Sequence, residues 1–134
     1  MHPNEQAHRA IVAAFSAGDV ATAASYYTDD AMFHINGRGP AAGDHRGFGA
    51  FVELFATMAS TVDSYEQQLL DVIAGDEHSV GLLKTVMTRG DEVLESDVIS
   101  VLTWRGGKVV DERIVFVDPY AGDEFDRSGQ TRSA

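Results

Sequence analysis

The stretch YEQQLLDVIAGDEHSVGLLKTVMTRGDEVLESDVISVLTWRGGKVVDERIVFVD, Tyr65–Asp118, decides the fold. Four segments, Tyr65–Ala74, Ser79–Arg89, Glu92–Trp104 and Lys108–Asp118, are rich in Val, Ile, Leu and Thr, with Gly-Asp, Arg-Gly-Asp and Gly-Gly turns between them. β-Branched runs bounded by such turns read as a meander of hairpins. Strands this long cannot be covered by one helix if the sheet is flat, so the sheet is expected to curl, with bulges, and to enclose space.

Upstream of this stretch the periodicity is helical. Ala7, Ala10, Ile11, Ala14 and Phe15 lie on one face of a helix over Glu5–Ser16, with Asn4 as cap and Gly18 as stop. Asp19 caps a second, Ala-rich helix to about Tyr27; Asp29-Asp30 then forms a turn and Ala31–Ile35 a short strand. Asn36–Gly49 holds five glycines and a proline and is expected to be a loop that rims a pocket. Phe48, Phe51, Val52, Phe55, Met58 and Ala59 form the apolar stripe of a third helix. The chain thus reads as one α+β domain over residues 1–134, with a core of about 4–120 and a polar tail, 121–134, expected to fray. A curved, mostly antiparallel sheet wraps three N-terminal helices and an apolar pocket.

Bulk properties exclude several function classes. A net charge of −11 repels phosphate backbones and anionic lipid, so no nucleic acid or membrane partner is expected. With no cysteine there is no disulfide, thiolate nucleophile or cysteine metal site. Met1–Arg9 is polar and no apolar run approaches the roughly 20 residues of a membrane span. The expected compartment is the cytosol.

Two stretches carry a resemblance. AGDVATAASYYTDDAMFHINGRGPAAGDHRGFGAFVELF, residues 17–55, and DVISVLTWRGGKVVDERIVF, residues 97–116, resemble the middle portion and the last hairpin of the nuclear transport factor 2-like fold, which includes ketosteroid isomerases and SnoaL-like polyketide cyclases. The resemblance spans about Asn4–Asp118. It implies a cone-shaped sheet around a ligand pocket, and it specifies fold better than reaction.

Alternation splits the third long segment into one face with Asp97, Ile99 and Val101 and another with Ser96, Val98, Ser100 and Leu102. An aspartate in register with Ile and Val reads as a pocket residue, against the plainer reading of a solvated face. By resemblance Asp97 matches the isomerase aspartate that stays protonated and donates to a developing oxyanion. His34 lies near the family's carboxylate base. Alignment on the following glycines places His34 at that position, and alignment on Asp29-Asp30-Ala31 places Ile35 there. An imidazole is suited to moving a proton α to a carbonyl; the alternative is a strand-end histidine bonded to backbone or water. Glu112, Ile114, Phe116 and Asp118 share a face. Phe116 matches a pocket aromatic of the isomerases, which would turn Glu112 inward and pair it with Asp97, repulsion keeping one carboxyl protonated. A solvated rim position is the other reading. The resemblance breaks at Ile11, where the isomerases carry their oxyanion tyrosine, and at Ile114, where the cyclases carry an aspartate. A hydroxyl donor would then come from Tyr26 or Tyr27, which otherwise read as core aromatics.

The expectation is therefore a cofactor-independent isomerase or cyclase acting on a small hydrophobic carbonyl compound, steroid- or polyketide-like. His34, Asp97 and Glu112 are its candidate acid/base groups. Tyr26, Tyr27, Phe51, Phe55, Met58, Ile99, Ile114 and Phe116 are its candidate substrate contacts. The competing expectation is a non-catalytic module of the same fold that binds a small molecule or a protein. His45 and Arg46 in the glycine loop are weaker candidates, and His2, His8 and His78 read as surface residues. No His-Glu-x-x-His, His-x-His or EF-hand pattern occurs, so no metal is expected. There is no Gly-x-Ser-x-Gly elbow or Walker loop, and Gly37 and Gly39 lack the βαβ context of a dinucleotide site. No arginine is placed to bridge two carboxylates as in the epoxide hydrolases of this fold. Val98, Leu102 and Trp104 are assigned to the outer sheet face, which predicts a homodimer packed through it.

Overall fold

A computed structural model describes residues 1–133, with side chains to Ser128. In chain order its elements are α1 (Pro3–Ser16), α2 (Val20–Ala24), β1 (Tyr27–Ile35), β2 (Gly43–Arg46), α3 (Phe48–Ala59), β3 (Ser64–Ala74), β4 (His78–Arg89), β5 (Glu92–Arg105), β6 (Lys108–Phe116) and α4 (Pro119–Ser133). The strands form one open mixed sheet in the order β2-β1-β6-β5-β4-β3. β3 to β6 are successive antiparallel hairpins, and β1 joins the far edge parallel to β6.

Turn chemistry and bulges set the curvature. Arg105 pairs with Lys108 across Gly106-Gly107, both at positive φ, as the tight two-residue hairpin turn requires. Leu69 pairs with Leu83 and Asp71 with Leu82, which leaves Leu70 as an extra residue, 55% exposed. Thr103 pairs with Asp111 and Trp104 with Val109, which leaves Val110 extra in β6. Each insertion bends its strand and exchanges the inward and outward faces of the residues beyond it.

The core lies on the concave side. Ile11, Tyr27, Ala31, Phe33, Leu102, Trp104 and Val109 form the narrow end, where Phe33 stacks on Phe51 at 4.6 Å and 6°. Phe15 of α1 meets Phe55 of α3 edge-on at 4.7 Å, so the two long helices close on each other inside the sheet. A second cluster, Met87, Leu94 and Phe125, lies toward the wide end.

Three expectations are corrected. The second helix stops at Ala24, because Tyr26-Tyr27-Thr28 has strand propensity and Tyr27 opens β1. The glycine loop contains β2, paired with β1 from Met32 opposite Arg46 to Ile35 opposite Gly43. The tail expected to fray forms α4 as far as Ser133, with Ala134 outside the described residues. Phe125 seats against Met87 and Leu94, the Arg89 guanidinium lies 4.0 Å over its ring, and Asp123 accepts from the Arg38 backbone N–H at 2.9 and 3.0 Å.

Candidate functional site

Between α1, α3, the concave sheet and α4 lies a cavity of about 200 Å³. Phe51, Phe55, Met58, Ile114 and Phe116 line it. Its polar groups are Tyr27, Glu112, His8 and Ser100 on the side of the narrow end, Tyr65, Gln67 and Thr85 along β3 and β4, and Asn36, Asp123 and Asp126 at the glycine loop and α4. An apolar cavity with sparse, placed polar groups is the usual form of a small-molecule site.

Glu112 is the acidic group that the sheet turns inward. It is 7% exposed, sits opposite Leu102 in the β5–β6 ladder, and accepts a hydrogen bond from the Tyr27 hydroxyl. Burial pushes its carboxyl up to about 7, the Tyr27 bond pulls it part of the way back, and the Asp111 charge adds to the rise. Tyr27 is held well above its ordinary value, first by burial and then by the Glu112 charge. Both protonation states of Glu112 are therefore accessible near neutral pH.

His8, assigned to the surface from sequence, is fully buried and lines the cavity. Its Nδ1 lies 2.7 Å from Ser79 Oγ and its Nε2 3.2 Å from Ser100 Oγ. Burial and then the Arg9 charge lower its pKa to about 4, so the ring is neutral. The signal was in the sequence: His8, Ile11, Val12 and Phe15 fall at i, i+3, i+4 and i+7, one helical face. Gly81 makes room for the ring, since a Cβ there would stand 2.8 Å from His8 Nε2. Gly81→Ala should therefore destabilise the fold by about 1–3 kcal/mol, although alanine ordinarily favours a strand interior over glycine. Urea denaturation measures this, and an unchanged or raised midpoint would contradict the close packing.

The other candidates separate. Asp97 is exposed on the convex face, so the inward assignment of Asp97 and Ile99 is corrected, and no Asp97–Glu112 carboxyl pair forms. Val98, Leu102 and Trp104, assigned outward, are buried at 6%, 1% and 5% exposure. The bulge at Val110 brings Leu102 opposite Glu112 and Val98 opposite Phe116, so even-numbered β5 residues share the pocket face. His34 also faces away from the cavity, because its neighbours Phe33 and Ile35 on β1 point inward. Its Nδ1 and Nε2 each lie 2.6 Å from a carboxylate, of Asp44 and of Asp111, and these bonds raise its pKa. Tyr26 packs against the narrow-end cluster rather than lining the cavity. His45 donates to the Ala41 carbonyl at 2.8 Å. Among the described residues no group of three His, Cys, Asp or Glu side chains is placed to hold a metal ion, and no helix is long and apolar enough to cross a membrane.

The SnoaL-like domain family matches residues 8–129 of the chain. Among solved structures, Bal32a from a soil-derived mobile gene cassette is 31% identical over 93% of this chain and 97% of its own, with a TM-score of 0.86. TerC, co-crystallised with polyporic acid, is 19% identical over 94% of this chain and 99% of its own, at a TM-score of 0.83. An LEH-like epoxide hydrolase of M. tuberculosis is 16% identical over 98% and 97%, at 0.68. The last two share the fold only. No curated protein matches the sequence.

Proposed function

The chain belongs to the SnoaL-like domain family, and from that premise we propose that it is a cofactor-independent acid/base enzyme acting on a small hydrophobic carbonyl compound, with Glu112 as the proton carrier and Tyr27 as its partner. The observation that carries this reading is a carboxyl buried in an apolar cavity with its pKa at about 7. A base is most effective when it titrates near working pH, and perturbed carboxyls collect at functional sites. The Glu112 carboxylate would take the proton from a carbon α to the carbonyl. The electron pair of that C–H bond moves to the carbonyl oxygen as an enolate, and the carboxylic acid returns the proton to another carbon of the same conjugated system. No electrons leave the substrate, so no cofactor is needed.

The cavity bounds the substrate. A hole of about 150 Å³ takes up benzene, so about 200 Å³ suits one or two rings, with anything longer reaching past the glycine loop and α4. Of the three candidate acid/base groups, His34, Asp97 and Glu112, this reading keeps Glu112 alone as the proton carrier. The test is turnover of a panel of β,γ-unsaturated ketones and anthracyclinone-like precursors followed against pH. The value of kcat/KM should rise through a limb near pH 7, and Tyr27→Phe, which removes the bond that lowers the Glu112 pKa, should move that limb upward. A limb unmoved in Tyr27→Phe, or no turnover of any member, would count against it.

One observation favours the second reading, a module that holds a ligand unchanged. Ile35 points inward at one of the two positions aligned with the isomerase base, and Ile114 stands where the cyclases carry their aspartate. Native mass spectrometry of freshly purified protein separates the two, because a retained, unaltered ligand marks a carrier.

The homodimer is still proposed through the outer sheet face, but with other residues than Val98, Leu102 and Trp104, which point inward. Leu82, Ile99 and Val115 form one cross-strand row on the convex side and Val80 and Val101 the next, with Ile73 beside them 64% exposed. Sedimentation at micromolar concentration should give twice the 14.5 kDa of one chain, falling toward one chain in Ile99→Asp. A 14.5 kDa species alone would refute it.

A further inference from the structure

The Glu112 reading leaves unused a chain of four polar groups that runs from the interior to the cavity wall. Trp104 Nε1 donates to Ser79 Oγ at 2.8 Å. Ser79 Oγ lies 2.7 Å from His8 Nδ1, and His8 Nε2 lies 3.2 Å from Ser100 Oγ. Ser79 and His8 are fully buried; His8 and Ser100 stand at the cavity wall and Ser79 lies behind them, outside the lining.

Counting hydrogens fixes the direction of this chain. An indole N–H only donates, so Ser79 must accept from Trp104. A neutral His8 carries one ring hydrogen, and each serine carries one. Four hydrogens therefore face three contacts, and one is left over. If His8 carried its hydrogen on Nδ1, that hydrogen would go to Ser79 and the Ser100 hydroxyl would donate to Nε2. The surplus hydrogen would then be the Ser79 hydroxyl's, in a sealed position where its hydrogen-bond contacts among the described residues are His8 and Trp104. An orphaned buried hydroxyl costs on the order of 1–3 kcal/mol. With the hydrogen on Nε2, Ser79 donates to Nδ1, His8 donates to Ser100, and every sealed group is satisfied. The surplus hydrogen is then that of the Ser100 hydroxyl, at the cavity wall.

We infer that Ser100 is a ligand-recognition residue whose hydroxyl hydrogen, oriented by the Trp104–Ser79–His8 chain, is offered to an acceptor oxygen of the bound molecule. The ligand class it selects is one with a carbonyl or other acceptor oxygen on an otherwise apolar frame. Ser100 pairs with Ile114 on β6, two residues from Glu112 on the same face. Diagonal neighbours of this kind stand about 7–8 Å apart at Cα and closer at Cβ. A carbonyl oxygen at Ser100 therefore leaves adjacent carbons within reach of the Glu112 carboxyl. The inference rests on this cavity being the ligand site and does not require turnover.

The experiment has two arms. In protein with 15N-labelled histidine, long-range 1H–15N correlation at pH 6–8 should show His8 as the Nε2–H tautomer, and in Ser79→Ala that single tautomer should give way to a mixture. In the second arm, acetophenone labelled with 13C at the carbonyl is titrated into the protein and its C=O stretch followed by infrared difference spectroscopy. The stretch should fall below its value in an apolar solvent. Ser100→Ala should abolish the shift and weaken binding about fivefold, the effect of one ordinary hydrogen bond. A His8 with its hydrogen on Nδ1 would overturn the inference, as would a stretch identical in wild type and Ser100→Ala. Failure of acetophenone to bind up to its solubility would overturn the cavity reading on which this inference and the proposed function both stand. Absence of turnover alongside both expected spectra would remove only the proposed function.

Discussion

Glu112→Gln should lower kcat/KM by about 10²–10⁴-fold, the loss expected when a positioned proton carrier is removed, and at alkaline pH it should yield a more stable protein than the original. The two effects have one cause. The Glu112 carboxyl titrates at an ordinary 4.5 in the unfolded chain and at about 7 when folded. Between these values the native state holds a proton that the unfolded state has released, so stability falls as pH rises through the window. Below pH 4.5 both states are protonated and nothing is lost; above about 7 the full cost of burying the charge is present. A shift of this size corresponds to about 3 kcal/mol, a large share of the 5–15 kcal/mol typical of a whole domain. Glutamine keeps the shape and the acceptor that Tyr27 uses, and it never ionises. Urea denaturation should therefore find the two proteins nearly equal at about pH 4 and the variant more stable by about 2–3 kcal/mol at about pH 8.5. Equal stabilities at both pH values would falsify the buried, raised carboxyl. Gain of stability with loss of rate is the signature of a group retained for function at the expense of the fold.

The inward turn of Glu112 was implied by the family resemblance at Phe116, and the outward turn of Asp97 was misread for a reason confined to one residue. A two-residue turn at Gly106-Gly107 with uninterrupted pairing sets odd residues of β5 against even residues of β6, so Asp97 and Glu112 would share a face. Val110 is skipped in the ladder, and beyond it even residues face even ones. The β5 sequence does not choose between the two outcomes, because Ile99 and Val101 on one side match Val98 and Leu102 on the other in apolar character. The serines mislead as well, since Ser100 reads as solvent-facing until His8 is seen to need it. Long-period features were easier to read. The helical stripe Phe48, Phe51, Phe55 and the four long strands follow from composition and turns alone. The α4 helix was hidden because its anchoring is specific rather than compositional: a single aromatic, Phe125, one cation over its ring, and one carboxylate, Asp123, on a backbone N–H.

Phe33→Ala should remove about 3–5 kcal/mol of stability, at the upper end for a core truncation. Phe33 is fully buried, parallel to Phe51 at 4.6 Å and stacked against Tyr27 at 5.4 Å. The substitution deletes an aromatic partner on both sides as well as the buried area, and aromatic pairs contribute about 0.5–1.5 kcal/mol beyond that area. The rigid sheet below and α3 above limit collapse into the hole, which keeps the cavity cost high. For a domain of this size the melting temperature should drop by about 10–20 °C, which calorimetry measures directly. Leu70→Ala is the control: Leu70 is an equally apolar residue on a strand, but it is 55% exposed at its bulge, and its loss should change stability by no more than about 0.5 kcal/mol. If the two substitutions proved equally mild, the narrow-end cluster would not be the core of the fold. Phe33 also holds His34 outside, because consecutive side chains on a strand point to opposite faces. Whichever of the two turned inward would fill the space against Phe51, and the aromatic ring gains far more there than an imidazole that already has two carboxylate partners at the surface.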